Sequence, residues 1–262
     1  MHEALARVMR DLGRQLLDWR AAGQTEGRQE GTQFKAEADR RAHEFLSMAL
    51  AAIEPGTPIA SEEDPDSLDP DRRPRYWLID PIDGTASFVG GYDGFVTQAA
   101  LMDASGPLLA AVYAPVADQL FAARRGAGAT CNGVSMARSG GRSGALIDNY
   151  PSPRGVALAA QRALGLPHYV ESGSLGLKIC RVADGTADVF VKDVRVADWD
   201  LAPGHLILAE AGGGMTDVFG QDLTYTGDYA RHGIAAAATP QLHQQLVAWY
   251  AATQGQSKGI GQ

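Results

Sequence analysis

Residues 76–85 read Tyr76-Trp77-Leu78-Ile79-Asp80-Pro81-Ile82-Asp83-Gly84-Thr85, and no other stretch constrains the fold as tightly. Four apolar residues in a row, two of them aromatic, fit a buried strand. The expected strand ends at Asp80, where two carboxylates three residues apart flank a turn stiffened by Pro81. Such a pair can converge on one point at a strand end. Gly84 permits close backbone approach, and Thr85 brings a hydroxyl to the expected start of a short helix. Unsatisfied N–H donors at a helix start suit a phosphate oxygen. Hard carboxylate oxygens favour Mg²⁺ over softer metals. An Asp-Pro turn followed by an aspartate cap would give the same letters without any chemistry.

Around this centre the chain reads as mixed α and β. Leu5, Val8, Met9, Leu12 and Leu16 recur at helical spacing and predict an amphipathic first helix. A polar, glycine-punctuated break follows at 23–31. A second helix is expected at 36–53, with Ala42, Phe45, Leu46, Ala49 and Ile53 on one side and Pro55-Gly56 ending it. Residues 57–60 predict a short strand and 65–75 a loop. Strands are expected at 95–102 and 108–113, and 120–123 returns after a turn at 115–118 as an antiparallel hairpin. The second half alternates helix (155–164), strand (169–171), helix (175–184), strand (188–191), helix (201–211), strand (233–237) and helix (240–252). Residues 137–155, rich in Gly, Ser and Arg, form the candidate junction between an N-terminal lobe, 1–145, and a C-terminal lobe, 146–262. The pattern predicts an α+β class with mainly antiparallel sheet.

Charge narrows the partners. With 31 acidic against 23 basic side chains, the net charge is −8. That balance argues against a nucleic-acid polymer or an anionic membrane as partner, since both need a basic footprint. An acidic protein can still bind a small anion if cations stand between the two. Cys131 and Cys180 form no CxxC pair, which excludes a disulfide scaffold and a zinc site. The N-terminal residues lack a basic stretch before an apolar core, and no apolar run approaches the ~20 residues of a membrane helix, so a cytoplasmic protein is expected.

Two further acidic motifs follow predicted elements. Ser61-Glu62-Glu63-Asp64 comes directly after a short strand, and alone would be a solvated turn. Trp199-Asp200-Leu201-Ala202-Pro203-Gly204 opens a long apolar helix, where Asp200 could serve simply as the N-cap with Ala202 and Pro203 in the first turn. Taken together, Glu62-Glu63, Asp80-x-x-Asp83-Gly84-Thr85 and Trp199-Asp200 resemble the inositol monophosphatase superfamily. That group includes inositol monophosphatases, 3'(2'),5'-bisphosphate nucleotidases and fructose-1,6-bisphosphatases. The resemblance covers about residues 34–250, and its DPIDGT string is highly specific.

The resemblance implies a layered α/β/α/β/α sandwich and Mg²⁺-dependent phosphomonoester hydrolysis with two or three ions. By residue, it implies that Glu62, Asp80 and the Ile82 carbonyl hold one metal, and that Asp80, Asp83 and Asp200 hold another. Thr85, with Glu62 or Glu63 nearby, would orient the attacking water. Asp83, Gly84 and Thr85 would meet the phosphate. Substrate and carboxylates are both negative, so cations are needed to bring them together, and no covalent phosphoenzyme or histidine base is required. Lithium sensitivity is implied by the resemblance alone, which also leaves a homodimer open.

Within the superfamily the details look nearest to bacterial bisphosphate nucleotidases. Inositol monophosphatases usually place an acidic, inositol-contacting residue where Lys192 stands, with one residue fewer before Trp-Asp. A cation there suits a second phosphate; Lys192 could equally be a surface lysine, with Asp193 taking the sugar-contacting role. Residues 178–185 and 223–226 also look nucleotidase-like. Ala36 stands where many members carry Thr, and Gly173-Ser174-Leu175-Gly176 matches the family's Gly-Ser/Thr loop only loosely. The expected substrate is 3'-phosphoadenosine 5'-phosphate, with inositol monophosphate or a related sugar phosphate as the alternative. A catalytically silent metal-binding regulator is the remaining class. Gly126 to Cys131 begins like a dinucleotide loop but has cysteine where the third glycine belongs, and is expected to be an ordinary loop. Ser174 lacks a nucleophile elbow.

Overall fold

The helical spacing at the N-terminus becomes α1 (His2–Ala21), whose Leu5, Met9, Leu12 and Leu16 are all buried. The computed structural model describes residues 1–30, 33–136 and 143–257; Gly31 of the polar break and 137–142 of the expected junction lie outside the described residues. Part of the break is a hairpin, β1 (Gly27–Glu30) against β2 (Gln33–Ala36). It leads into α2 (Glu37–Ile53), which buries Ala38, Asp39, Ala42, Leu46 and Leu50.

Both helices cover one face of a seven-stranded sheet in the order β3-β4-β5-β6-β7-β8-β9. Its strands are β3 (Ile59–Ser61), β4 (Arg75–Asp83), β5 (Val96–Asp103), β6 (Gly106–Ala114), β7 (Gln119–Arg124), β8 (Ala129–Cys131) and β9 (Val134–Ser135). Only β3 and β4 run parallel within it. Residues 126–131, expected as a loop, thus end in a strand, because β8 finds an antiparallel partner in β7. Period-two alternation divides β4 between two cores: Trp77 and Ile79 pack under α1 and α2, while Tyr76 and Leu78 face the opposite side. Both faces are covered, so residues 76–79 of the strand are all apolar.

The second sheet has the order β11-β10-β12-β14-β13, formed by β10 (Ala145–Asp148), β11 (His168–Glu171), β12 (Val189–Ala197), β13 (Gly214–Thr216) and β14 (Ala230–Ala237). It is mixed, with β10 parallel to β11 and β12, and β14 antiparallel to β12 and β13. Between the sheets lie α5 (Leu175–Ala183) and α6 (Asp198–Glu210). α6 buries Leu201, Ala202, Pro203, Gly204, Leu206, Ile207 and Leu208, an all-round apolar helix suited only to an interior layer. Burying each leucine or isoleucine there contributes about 1.5–3 kcal/mol. α4 (Gly155–Ala163) and α7 (Pro240–Ser257) cover the far face of the second sheet. The layers are therefore α/β/α/β/α, as expected. Among the described residues no helix is long and apolar enough to cross a membrane.

Candidate active site

The sequence expectation ended the central strand at Asp80; β4 instead continues to Asp83 through a register shift against β5, where Asp80 faces Gln98 and Asp83 faces Val96. Pro81 has no N–H for the ladder, so a bulge is the arrangement that keeps the strand paired on either side of it. The Asp80 carboxylate folds back to accept from Ile82 N at 3.1 Å. Gly84 then adopts φ +92°, a left-handed conformation costly for any side chain, and starts α3 (Thr85–Val89).

Glu62 follows β3, and its N–H donates to the Ile79 carbonyl at 3.4 Å, which sets it beside the end of β4. Asp200 lies in the first turn of α6, which begins at Asp198 rather than at 201 as expected. Its carboxylate accepts from Ala197 N at 2.9 Å, capping the helix from inside the first turn. Pro203 accordingly sits in the second turn. Glu62, Asp80 and Asp200 each offer a carboxylate oxygen, and these atoms all lie within 4.8 Å of one another. Asp80 is buried, and the others are partly exposed. Burial first, then the neighbouring carboxylates of Glu62, Asp83 and Asp200, holds Asp80 well above the usual range. Asp200 is raised in the same way, by burial, then Asp83 and Glu62. Three hard oxygen donors that repel one another make a set suited to a small divalent cation.

Asp83 is not in that group of three. Its carboxylate accepts from Gly176 N at 2.7 Å and Leu175 N at 3.4 Å, at the start of α5, and from Gln98 Nε2 at 3.2 Å. Burial raises its pKa, while the Gly176 amide, Lys178 and the Leu175 amide pull it down. Gly176 is required here, because a Cβ would stand 2.2 Å from Gln98 Oε1. Gln98 also reaches Asp80 Oδ2 at 3.4 Å, tying the two motif carboxylates together. The loosely matching 173–176 segment is therefore the brace for Asp83, with Ser174 capping α5 by accepting from Leu177 N at 3.2 Å.

Thr85 Oγ1 donates toward Asp39 Oδ1 at 3.0 Å and toward the Ile82 carbonyl at 3.2 Å. Asp39, 1% exposed in the first turn of α2, was not singled out by the sequence reading. Its letter alone resembles an ordinary acid near a helix N-terminus. Its register does carry a signal, since it falls on the buried side with Ala38 and Ala42.

Asp83 and Gly84 line a cleft of about 1570 Å³ that also holds Lys178 and Lys192. Lys192 Nζ contacts Asn149 Oδ1 at 2.6 Å and Asp148 Oδ1 at 2.5 Å. Lys178 is the amine the sequence left without a role: it is 2% exposed, donates to the Gly173 carbonyl, and burial lowers it to about 8 despite attraction from Asp83. Asp193 pairs with His232 at 2.8 Å instead of lining the cleft.

Residues 2–255 match the inositol monophosphatase family. The 3'(2'),5'-bisphosphate nucleotidase CysQ of Escherichia coli K12 is 32% identical over 198 residues, covering 72% of this chain and 78% of its own. Among solved structures, the extragenic suppressor protein suhB from Bartonella henselae superposes with TM-score 0.79 at 25% identity, covering 95% of this chain and 97% of that one. A staphylococcal inositol monophosphatase-1 in a LiCl-soaked inhibitory complex shares the fold, with TM-score 0.79 at 20% identity over 94% of this chain and 92% of that one.

Proposed function

The chain belongs to the inositol monophosphatase family, and from that premise we propose a Mg²⁺-dependent phosphomonoesterase of small phosphorylated metabolites, with 3'-phosphoadenosine 5'-phosphate as lead substrate. The observation that carries this reading is the group of Glu62, Asp80 and Asp200 beside a cleft holding two amines, Lys178 and Lys192. Glu62, Asp80 and the Ile82 carbonyl would hold one ion. Asp80, Asp200 and the lone pairs that the α5 amides leave on Asp83 would hold a second, and a third remains compatible with the family. Bound Mg²⁺ supplies Lewis-acid polarisation of the phosphate and eases deprotonation of the attacking water.

The remaining work falls to the chain itself. Thr85, its proton directed to Asp39, offers oxygen lone pairs to a water molecule, and Glu62 or Glu63 assists in orienting it. Gly84 leaves room for the phosphate at the start of α3. Lys178 and Lys192 supply positive charge for a second phosphate. The pairing of Lys192 with Asp148 and Asn149 favours a second reading, because it partly neutralises that cation and suits the uncharged polyol ring of a substrate such as inositol phosphate, which has no second phosphate.

Phosphate release from both substrates across a Mg²⁺ titration decides the matter. Turnover of the nucleotide at least tenfold above inositol phosphate is expected. The reverse preference replaces the substrate, and no turnover on either removes the enzyme reading in favour of a silent metal-binding regulator. Lithium inhibition accompanies the proposal. The two lobes, 1–145 and 146–262, are proposed as each owning one of the large sheets, although the boundary falls at the first residue of β10 (Ala145–Asp148). Two free cysteines fit a reducing, cytoplasmic setting, and the net charge of −8 fits a small-molecule partner better than a polyanion.

A further inference from the structure

The exposed lining of the cleft mixes polar side chains such as Asp93, Asn149 and Glu171 with large apolar ones that have no role in phosphate chemistry. Exposed large hydrophobic side chains among the described residues are Met1, Met48, Tyr92, Val116, Val134, Val194 and Phe219, and three of them, Tyr92, Val116 and Val194, line this one cleft. Singly scattered exposed hydrophobics need no explanation, whereas several gathered around a site suggest something apolar to be met there.

Tyr92 is the largest of the three and 71% exposed. Its backbone is nonetheless fixed. Arg20 of α1 donates to the Tyr92 carbonyl at 3.1 Å, and Tyr92 N donates to the Ser87 carbonyl at 2.9 Å. Arg20 also lies 3.8 Å from Asp93 and stacks over Phe95 at 5.1 Å. The ring itself rests on Gly90, where a Cβ would come within 2.9 Å of Cε2. The aromatic ring is thus held against glycine while most of its surface stays open at the cleft mouth. The cleft's other tyrosine is already engaged: Arg154 sits 3.0 Å over the Tyr150 ring and Lys192 5.2 Å from it.

A pre-positioned π-face with no intramolecular partner binds planar aromatic groups at little ordering cost. Cations held by the carboxylates, together with the amines below it, would grip the phosphates, so the aromatic group belongs to the part of the substrate that projects outward. We propose that Tyr92 stacks on the heteroaromatic base of a nucleotide substrate and is the specificity-determining contact that separates nucleotides from base-free sugar or polyol phosphates. This inference rests on the nucleotidase reading above and deepens it. Val116 and Val194 complete the apolar mouth around the base.

The test compares wild type, Tyr92→Ala and Tyr92→Phe on 3'-phosphoadenosine 5'-phosphate and on its base-free sugar bisphosphate analogue, with AMP binding measured calorimetrically. Loss of a base–aromatic stack is worth a factor of about 10–100. The kcat/KM ratio of nucleotide to base-free analogue is expected to fall at least tenfold in Tyr92→Ala, chiefly through KM, with AMP affinity falling in parallel. Tyr92→Phe should restore both to within about twofold. An unchanged ratio in an active enzyme, or a phenylalanine variant as impaired as the alanine one, overturns the stacking role alone. A wild type that hydrolyses inositol phosphate but neither hydrolyses the nucleotide nor binds AMP overturns the nucleotidase reading and the stacking role with it.

Discussion

Thr85 Oγ1 and Asp39 Oδ1 stand 3.0 Å apart, a contact that joins the start of α3 to the buried side of α2 across 46 residues. The direction of that hydrogen bond leaves the threonine oxygen as an acceptor, which is what holding a water for attack requires. Thr85→Ala and Asp39→Asn should each lower kcat by about 10²–10⁴ with KM changed little. The melting temperature should stay within a few degrees of wild type for Thr85→Ala. Near-normal turnover in Thr85→Ala would remove it from the proposed machinery.

The crowding of Glu62, Asp80 and Asp200 makes metal-free protein less stable than it could be. Raised carboxylate pKa values mean that the folded state disfavours the charged forms, so the cost is complete above those raised values and fades as pH falls through them toward the ordinary carboxylate range. Saturating Mg²⁺ at neutral pH, at about 100 times its Kd, should add about 2.7 kcal/mol and raise Tm by roughly 5–10 °C. Asp80→Asn should melt higher than metal-free wild type, lose the Mg²⁺ response and lose activity. Calorimetry with and without chelator measures the first two and phosphate release the third, and a Tm indifferent to Mg²⁺ contradicts the site.

Lys178 gives a pH signature. Burial lowers its ammonium to about 8, so the cation is complete below that pH and disappears above it. If it helps hold a substrate phosphate, KM should rise as pH climbs through 8 while kcat changes less. Lys178→Met should show a higher KM with that alkaline limb gone. A limb that persists in the variant assigns it to another group.

Asp198, fully buried at the first position of α6, binds two arginines from different elements. Arg72 Nη2 donates to its Oδ2 at 2.6 Å and Arg231 Nη2 to the same oxygen at 3.0 Å. Burial raises the Asp198 pKa, and the arginines oppose that rise. Asp198→Ala would strand two guanidinium groups, so a loss of about 3–5 kcal/mol is expected in denaturant unfolding. A change below 1 kcal/mol would show that solvent relieves them.

The individual helices and strands and the three acidic motifs were legible because each letter pattern is local, while the layered arrangement was implied by the family resemblance. Glu62 follows a short strand, Asp80 ends a run of apolar residues, and Asp200 opens an apolar helix. Their convergence came from the family resemblance, not from spacing. What escaped the sequence depends on contacts far along the chain. Asp83 is captured by amides of Leu175 and Gly176, more than 90 residues away, and no property of DPIDGT announces that. β12 runs on to Ala197, past the expected end at Val191, because β14 pairs with it beyond a bulge between Lys192 and Arg195. α6 begins early because Asp200 caps it from within.

Tyr92 and Val116 at the cleft mouth lie in turns or loops and Val194 lies at the bulge of β12, whereas the carboxylates lie at strand ends and helix starts. Turns accept substitution without disturbing the layers beneath them. Exchanging Tyr92, Val116 or Val194 can therefore retarget the protein to a different leaving group while the ion-binding floor stays as it is. On the proposed reading, the contact that selects the leaving group stands apart from the residues proposed to hold the ions, so the two could change independently.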